Sequence, residues 1–168
     1  MHTYIVYSAI LLVIFITITV LILYLKPVEE DYPYEKVSSL MTDSELTFYT
    51  VLKQSIAYDS DLLLFSKVRM ADIIQVAKDS QNWRGHFNRI QAKHVDFLIC
   101  SADTLEPILI IELDDKSHNR PERIARDQFV DAAMDAADLP ILHLPVQDYD
   151  ADELRDIIYT EIGEPAFV

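Results

Sequence analysis

Two apolar runs in the middle of the chain carry acidic side chains where a strand should bury hydrocarbon. His94–Ser101 (HVDFLICS) contains Asp96, and Pro107–Asp114 (PILIIELD) contains Glu112 and Asp114. An ionised carboxylate is costly to bury unpaired, so these residues need either a partner or a task. The polar stretch 102–106 and the β-branched content of both runs predict a β-hairpin. With pairing symmetric about Thr104, Ser101 faces Pro107, Asp96 faces Glu112 and His94 faces Asp114. Residues two apart share a face. His94, Asp96, Glu112 and Asp114 then gather at one end of one face of the hairpin. Opposed like charges repel, whereas a divalent cation between oxygen ligands turns the repulsion into binding. A slip of one residue would put Asp96 and Glu112 on opposite faces. The competing reading makes Asp96 a strand-start cap and Glu112, Asp114 and Asp115 a solvated strand end. Against it stands the continuous ILIIEL run, since a strand apolar on both faces is central and its end opens into a cleft. His94 is expected to pair with Asp114 structurally rather than to ligate.

The elements that position this hairpin can be read on either side of it. Thr42-Asp43-Ser44-Glu45 has capping-box spacing, and Leu46, Tyr49, Leu52, Lys53 and Ile56 follow at helical intervals, which predicts a helix over 43–58. Residues 62–68 suit a strand, 70–78 either a second helix or an extended connection, and 79–93 give no clear period. Asn119 and Pro121 mark the start of a helix reaching about Ala137, with Ile124, Gln128, Ala132 and Ala136 on one side. A short buried strand over 141–144 and an amphipathic helix over 152–162 complete the order.

Composition bounds the rest. Residues 26–66 hold eight acids and three bases, 67–126 nine and ten, and 127–168 eleven and one, within a net charge of −14. Only the middle third can face a polyanion. With two glycines in the whole chain, no Gly-rich phosphate loop can be built, which excludes dinucleotide and P-loop cofactors. The single cysteine, Cys100, makes neither an intrachain disulfide nor a cysteine-based zinc site and is expected in the core. Nothing in the composition sets the oligomeric state.

Residues 4–25 carry no ionisable group except tyrosines, and at about 1.5 Å per residue they reach roughly 33 Å, enough for a bilayer core of about 30 Å. No basic region precedes the run and no small-residue cleavage site follows it, which favours an anchor over a cleaved signal. Lys26 and Lys36 follow the helix, which places the rest of the chain in the cytoplasm, on the inner face of a cytoplasmic membrane. The expected division is a short tail over 1–3, a transmembrane helix over 4–25, a Pro-containing acidic linker over 26–41 and one α/β domain over 42–168.

VDFLIC (Val95–Cys100), then IELDDKSH (Ile111–His118), then Arg126-Asp127 in the next helix, resembles the restriction-endonuclease-like superfamily, PD-(D/E)XK. More narrowly it is similar to an uncharacterised bacterial domain family related to very-short-patch-repair endonucleases. The resemblance spans about Asp43–Ile162. It implies a central mixed sheet flanked by helices, with Asp96 and Glu112 as ligands of Mg²⁺ or Mn²⁺ and Glu45 as an accessory on the first helix; Asp114 is a further candidate ligand from its place on the hairpin. The sequence departs from the superfamily where Asp114 stands in place of a lysine two residues after the acid. Lys116, His118 or Arg126 is left to supply the charge or proton.

On this reading the chain hydrolyses phosphodiester bonds in DNA or RNA. His118 is the candidate general acid or base, or else a loop histidine capping the next helix. Arg120, Arg123 and Arg126 can meet phosphate near a helix start, though Arg123 also has Asp127 one turn on. Trp83, with Arg84 and Arg89 beside it, either stacks on a base or packs inward. Asp148, Asp150 and Asp152 read as a solvated helix start. The alternative function is a non-catalytic binding or regulatory module of the same fold at the membrane.

Overall fold

The computed structural model describes residues 1–25, 31–114 and 121–163, with backbone alone for 121–124. The chain divides into two units, Met1–Val37 and Ser38–Val168. The first contains α1 (His2–Tyr24), which is long and apolar enough to cross a membrane. The hydroxyls of Ser8, Thr17 and Thr19 donate to backbone carbonyls one turn earlier, which satisfies them without water. The helix begins at His2 rather than Tyr4, because backbone hydrogen bonding and not apolarity sets its end.

The second unit is a mixed α/β fold. Its four strands, β1 (Leu62–Arg69), β2 (His94–Ser101), β3 (Pro107–Asp114) and β4 (Ile141–Pro145), form one sheet in the order β1-β2-β3-β4. β1 and β2 run antiparallel, as do β2 and β3, while β4 joins β3 in parallel. Its helices among the described residues are α2 (Asp43–Ser55), α3 (Met70–Ile73), α4 (Trp83–Ile90), α5 (Pro121–Asp135) and α6 (Ala151–Ile162). On one face of the sheet, Phe97, Ile99, Leu109 and Ile111 pack against Phe48 and Leu52 of α2 and Leu154 and Ile158 of α6. On the other, Leu98, Cys100 and Ile110 meet Met70 of α3, Ile90 of α4, and Val130 and Met134 of α5. β3 is covered on both faces, as its unbroken apolar run requires.

The hairpin pairs as expected through Phe97↔Ile111, Leu98↔Ile110 and Ile99↔Leu109. At the turn a bulge puts Cys100, not Ser101, opposite Pro107. The α2 capping box is present, Thr42 accepting from the Glu45 N–H and Glu45 accepting from the Thr42 N–H. α2 stops at Ser55 rather than residue 58, because Ile56 leaves helical geometry as the chain turns toward β1. Its buried face holds Phe48, Leu52, Ser55 and Ile56, whereas Leu46 is 49% exposed. Among the described side chains of α5, Val130 and Met134 are buried; Gln128 and Ala132, with Ala136 just beyond the helix, lie outward, since larger apolar side chains fill the space over the sheet, and the side chain of Ile124 lies outside the described residues. The stretch 70–78 is helical only over Met70–Ile73, and α4 lies within the unreadable segment. Asp150 caps α6 by accepting from the Asp152 N–H, so the acidic stretch there is a helix start. The expected cap Asn119 lies outside the described residues.

Candidate functional site

At the end of the sheet where β2 begins and β3 stops, a pocket of about 400 Å³ opens between α2 and α5. Its polar walls come from five elements: Glu45 of α2, Lys67 of β1, Asp96 of β2, Glu112 and Asp114 of β3, Arg126 and Asp127 of α5; His143 of β4 closes one side. Asp96 and Glu112 thus line the same pocket, as the hairpin register requires.

Asp96 is fixed at both oxygens. Its Oδ1 accepts from Lys67 Nζ at 2.7 Å, and its Oδ2 accepts from the Leu113 backbone N–H at 3.1 Å. The second bond explains why a carboxylate is tolerated there: it satisfies a strand N–H of β3 just beyond the Phe97↔Ile111 pair, where the β2–β3 ladder ends. Lys67 Nζ also donates to Glu45 Oε1 at 2.8 Å, so one ammonium bridges two carboxylates whose side chains are each 17% exposed. Burial lowers the Lys67 pKa, but the hydrogen bonds and charges of Asp96 and Glu45 outweigh it and hold the amine above its ordinary range. Glu45 therefore caps α2 with Oε2 and anchors the lysine with Oε1.

Lys67 reaches this place through its backbone. It sits inside β1 with φ at 55°, a left-handed conformation rare in a strand. The β1–β2 pairing runs Ser66↔Phe97 and resumes at Val68↔Val95, skipping Lys67 and Asp96. Val95 and Leu98 consequently occupy the same core layer, although three residues apart. The strand alternation slips by one step at Asp96, and His94 does not share its face. The expected partnership of His94 with Asp114 is therefore not formed. His94 pairs in register with Arg69 and lies near Asp72.

Asp114 is met by His143 instead, whose Nδ1 lies 3.4 Å from it while Nε2 lies 2.9 Å from Asp131 Oδ1. Burial lowers the His143 pKa, and the two carboxylates outweigh that and raise it. Glu112 is perturbed most. Burial first, then the charge and hydrogen bond of Asp96, push its pKa up to about 8, against the smaller opposing charges of Arg126 and Lys67.

Of the residues expected at the site, Asp96, Glu112, Asp114, Glu45 and Arg126 line this pocket. Lys116 and His118 lie outside the described residues, as does the side chain of Arg123. Sequence reasoning missed Lys67 and His143. Both interrupt apolar runs, LLLFSKV and ILHL, which is the same anomaly that singled out Asp96 and Glu112. Lys67, from β1, places a cation beside Asp96. Among the described residues, no group of three or more His, Cys, Asp or Glu is arranged to enclose a metal ion. The residues that could hold a cation are Asp96 and Glu112.

Fold and pocket together define a mixed α/β domain that gathers paired carboxylates, a lysine and an arginine at one end of its sheet. Residues 37–162 match the family described as "Protein of unknown function (DUF2726)", and the chain belongs to that family. No curated protein and no solved structure matches it.

Proposed function

We propose that the domain is a metal-dependent phosphodiesterase of restriction-endonuclease-like type, acting on DNA or RNA and held by α1 at the cytoplasmic face of a membrane. The observation that carries this reading is the Asp96–Glu112 pair, contributed by neighbouring strands to a pocket that also contains Lys67 and Arg126. Two neighbouring carboxyls in a half-buried pocket form a site that a divalent cation can take in place of the Glu112 proton. Mg²⁺ and Mn²⁺ fit this donor set, because Mg²⁺ binds through one or two carboxylates and completes its shell with water and substrate phosphate. Bound there, the ion supplies positive charge to the scissile phosphate and acidifies a water.

The chain's own groups do the positioning. The Leu113 N–H and Lys67 hold Asp96 in one orientation, and a cation bound there would compete with the Lys67 ammonium for Oδ1. Arg126, exposed at the pocket wall, offers a guanidinium to phosphate oxygens. Glu112, once it releases its proton, brings the second negative charge. The test is a calorimetric titration of Mn²⁺ and Mg²⁺ into the protein, with Glu112→Gln as control and oligonucleotide hydrolysis as a second readout. Binding lost in the variant, together with metal-dependent hydrolysis, supports the reading. Absence of binding to folded parent protein refutes it.

One observation favours a second reading, in which the domain is a non-catalytic module. Lys67 already bridges Asp96 and Glu45, so one of their two negative charges is balanced without a metal. In that case Asp96→Asn and Glu112→Gln leave whatever the protein does in the cell unchanged.

A further inference from the structure

The chain is acidic, yet one strip of its surface is not. α4 and the segments around it carry Lys78, Arg84, Arg89 and Lys93, against Asp79 and an Asp72 already paired with Arg69. Within this strip Trp83 is 43% exposed and so is not a core residue. Its ring lies flat on Phe87, with centroids 5.0 Å apart and planes 10° from parallel. Its indole N–H donates to the Val76 carbonyl at 3.3 Å, which fixes the ring's rotation. The result is an exposed aromatic plate, held from its edge and from one face, with exposed Arg84 next to it in sequence. Arg89 lies over the ring of Phe129 at 3.8 Å and Lys93 at 5.7 Å, which joins α4 to α5. One turn before Phe129 on α5 is Arg126, at the wall of the carboxylate pocket. Arg126, Phe129 and Arg89 thus link the pocket wall, which also carries Asp127, to α4.

We propose that α4 and the adjoining face of α5 bind unpaired nucleotides of a single-stranded nucleic acid, with a base stacked on Trp83 and the backbone led by Arg84, Arg89 and Arg126 toward the pocket. The proposal rests on the phosphodiesterase reading for the destination of the strand. The plate itself does not depend on catalysis. Stacking on an aromatic ring suits any base, and the alternation of ring and cation is what a single strand requires. A membrane-facing role fits less well. An interfacial tryptophan uses its N–H toward headgroups, whereas this one is spent on Val76.

Trp83 is the only tryptophan in the chain, so its fluorescence reports this place alone. The experiment titrates oligothymidylate into the full chain in neutral detergent micelles with chelator present, following Trp83 quenching in the parent and anisotropy of a labelled oligonucleotide in every variant. The expected result is saturable quenching, and binding weakened about ten-fold or more by Trp83→Ala. Arg84→Ala, an exposed substitution that leaves the Phe87 stack in place, weakens binding several-fold with a shallower salt dependence. Unquenched fluorescence, or unchanged affinity in both the Trp83 and Arg84 variants, overturns the proposal. So does fluorescence that responds to phosphatidylserine added to phosphatidylcholine vesicles but not to the oligonucleotide. Binding with quenching but no metal-dependent hydrolysis leaves the plate standing and removes the catalytic reading. Hydrolysis with Trp83 silent does the reverse.

Discussion

Glu112→Gln replaces the group whose ionisation the pocket resists with a neutral amide of nearly the same shape, and its largest effect before any catalysis is on stability. In the folded chain Glu112 keeps its proton until about pH 8, while the ordinary value, taken for the unfolded chain, is 4.5. Between these values the unfolded chain has released a proton that the folded chain still binds, so stability falls as pH rises. At one pKa interval per 1.36 kcal/mol, the loss is about 3 kcal/mol at pH 7 and approaches about 5 kcal/mol above pH 8. These are upper values, because the pocket is open to water on one side. The Gln variant carries no such term. In urea unfolding followed by Trp83 fluorescence with chelator present, parent and variant should be close at pH 5, and the variant should be the more stable by a few kcal/mol at pH 8. Mn²⁺ at pH 8 should then raise the parent's midpoint and leave the variant's unmoved. Parallel pH profiles for the two proteins, or a parent that gains stability from pH 5 to 8 relative to the variant, would refute the claim that burial and Asp96 hold Glu112 protonated.

Lys67→Met leaves Asp96 and Glu45 facing one another without their shared ammonium and should cost about 2 to 3 kcal/mol at neutral pH, measured by urea unfolding, with partial recovery at low pH as the carboxylates protonate. His143→Gln removes a group with a raised pKa, whose stabilisation is complete below 6.5 and lost as pH rises through the raised value; the variant's stability should be flatter than the parent's from pH 6.5 upward, and an unchanged slope would count against the Asp114–His143–Asp131 arrangement. Phe97→Ala empties a fully buried site that touches the rings of Phe48 and Tyr49 and should cost about 3 to 5 kcal/mol in the same assay.

The hairpin and its charged end were legible because local rules determine them: a polar turn fixes the register, and the register sets which carboxylates meet. Lys67 was not, because its contact with Asp96 joins residues 29 apart through a left-handed backbone that no local pattern announces. His143 depends on β4 joining β3 in parallel, a pairing set by the intervening α5 rather than by a turn. α4 escaped detection because it is eight residues long and the residue at its N-cap, Asn82, has φ at 59° and makes no side-chain cap. The α5 stripe was read from small residues, whereas Val130 and Met134 had the volume to fill the sheet face. Lys67 and His143 could have been found by treating every polar side chain inside an apolar run as Asp96 and Glu112 were treated.

The left-handed turn of Lys67 has a mechanical consequence for β1. A non-glycine residue held there stores on the order of 1 kcal/mol or more of backbone strain. The restraint that opposes it is the double clasp of its ammonium on Glu45 and Asp96. Any cation that takes Asp96 for itself loosens that clasp, and the strain is then free to relax along β1, an outer strand of the sheet. The pocket and the edge of the sheet are in this way the two ends of one spring, and amide exchange along β1 reads its tension.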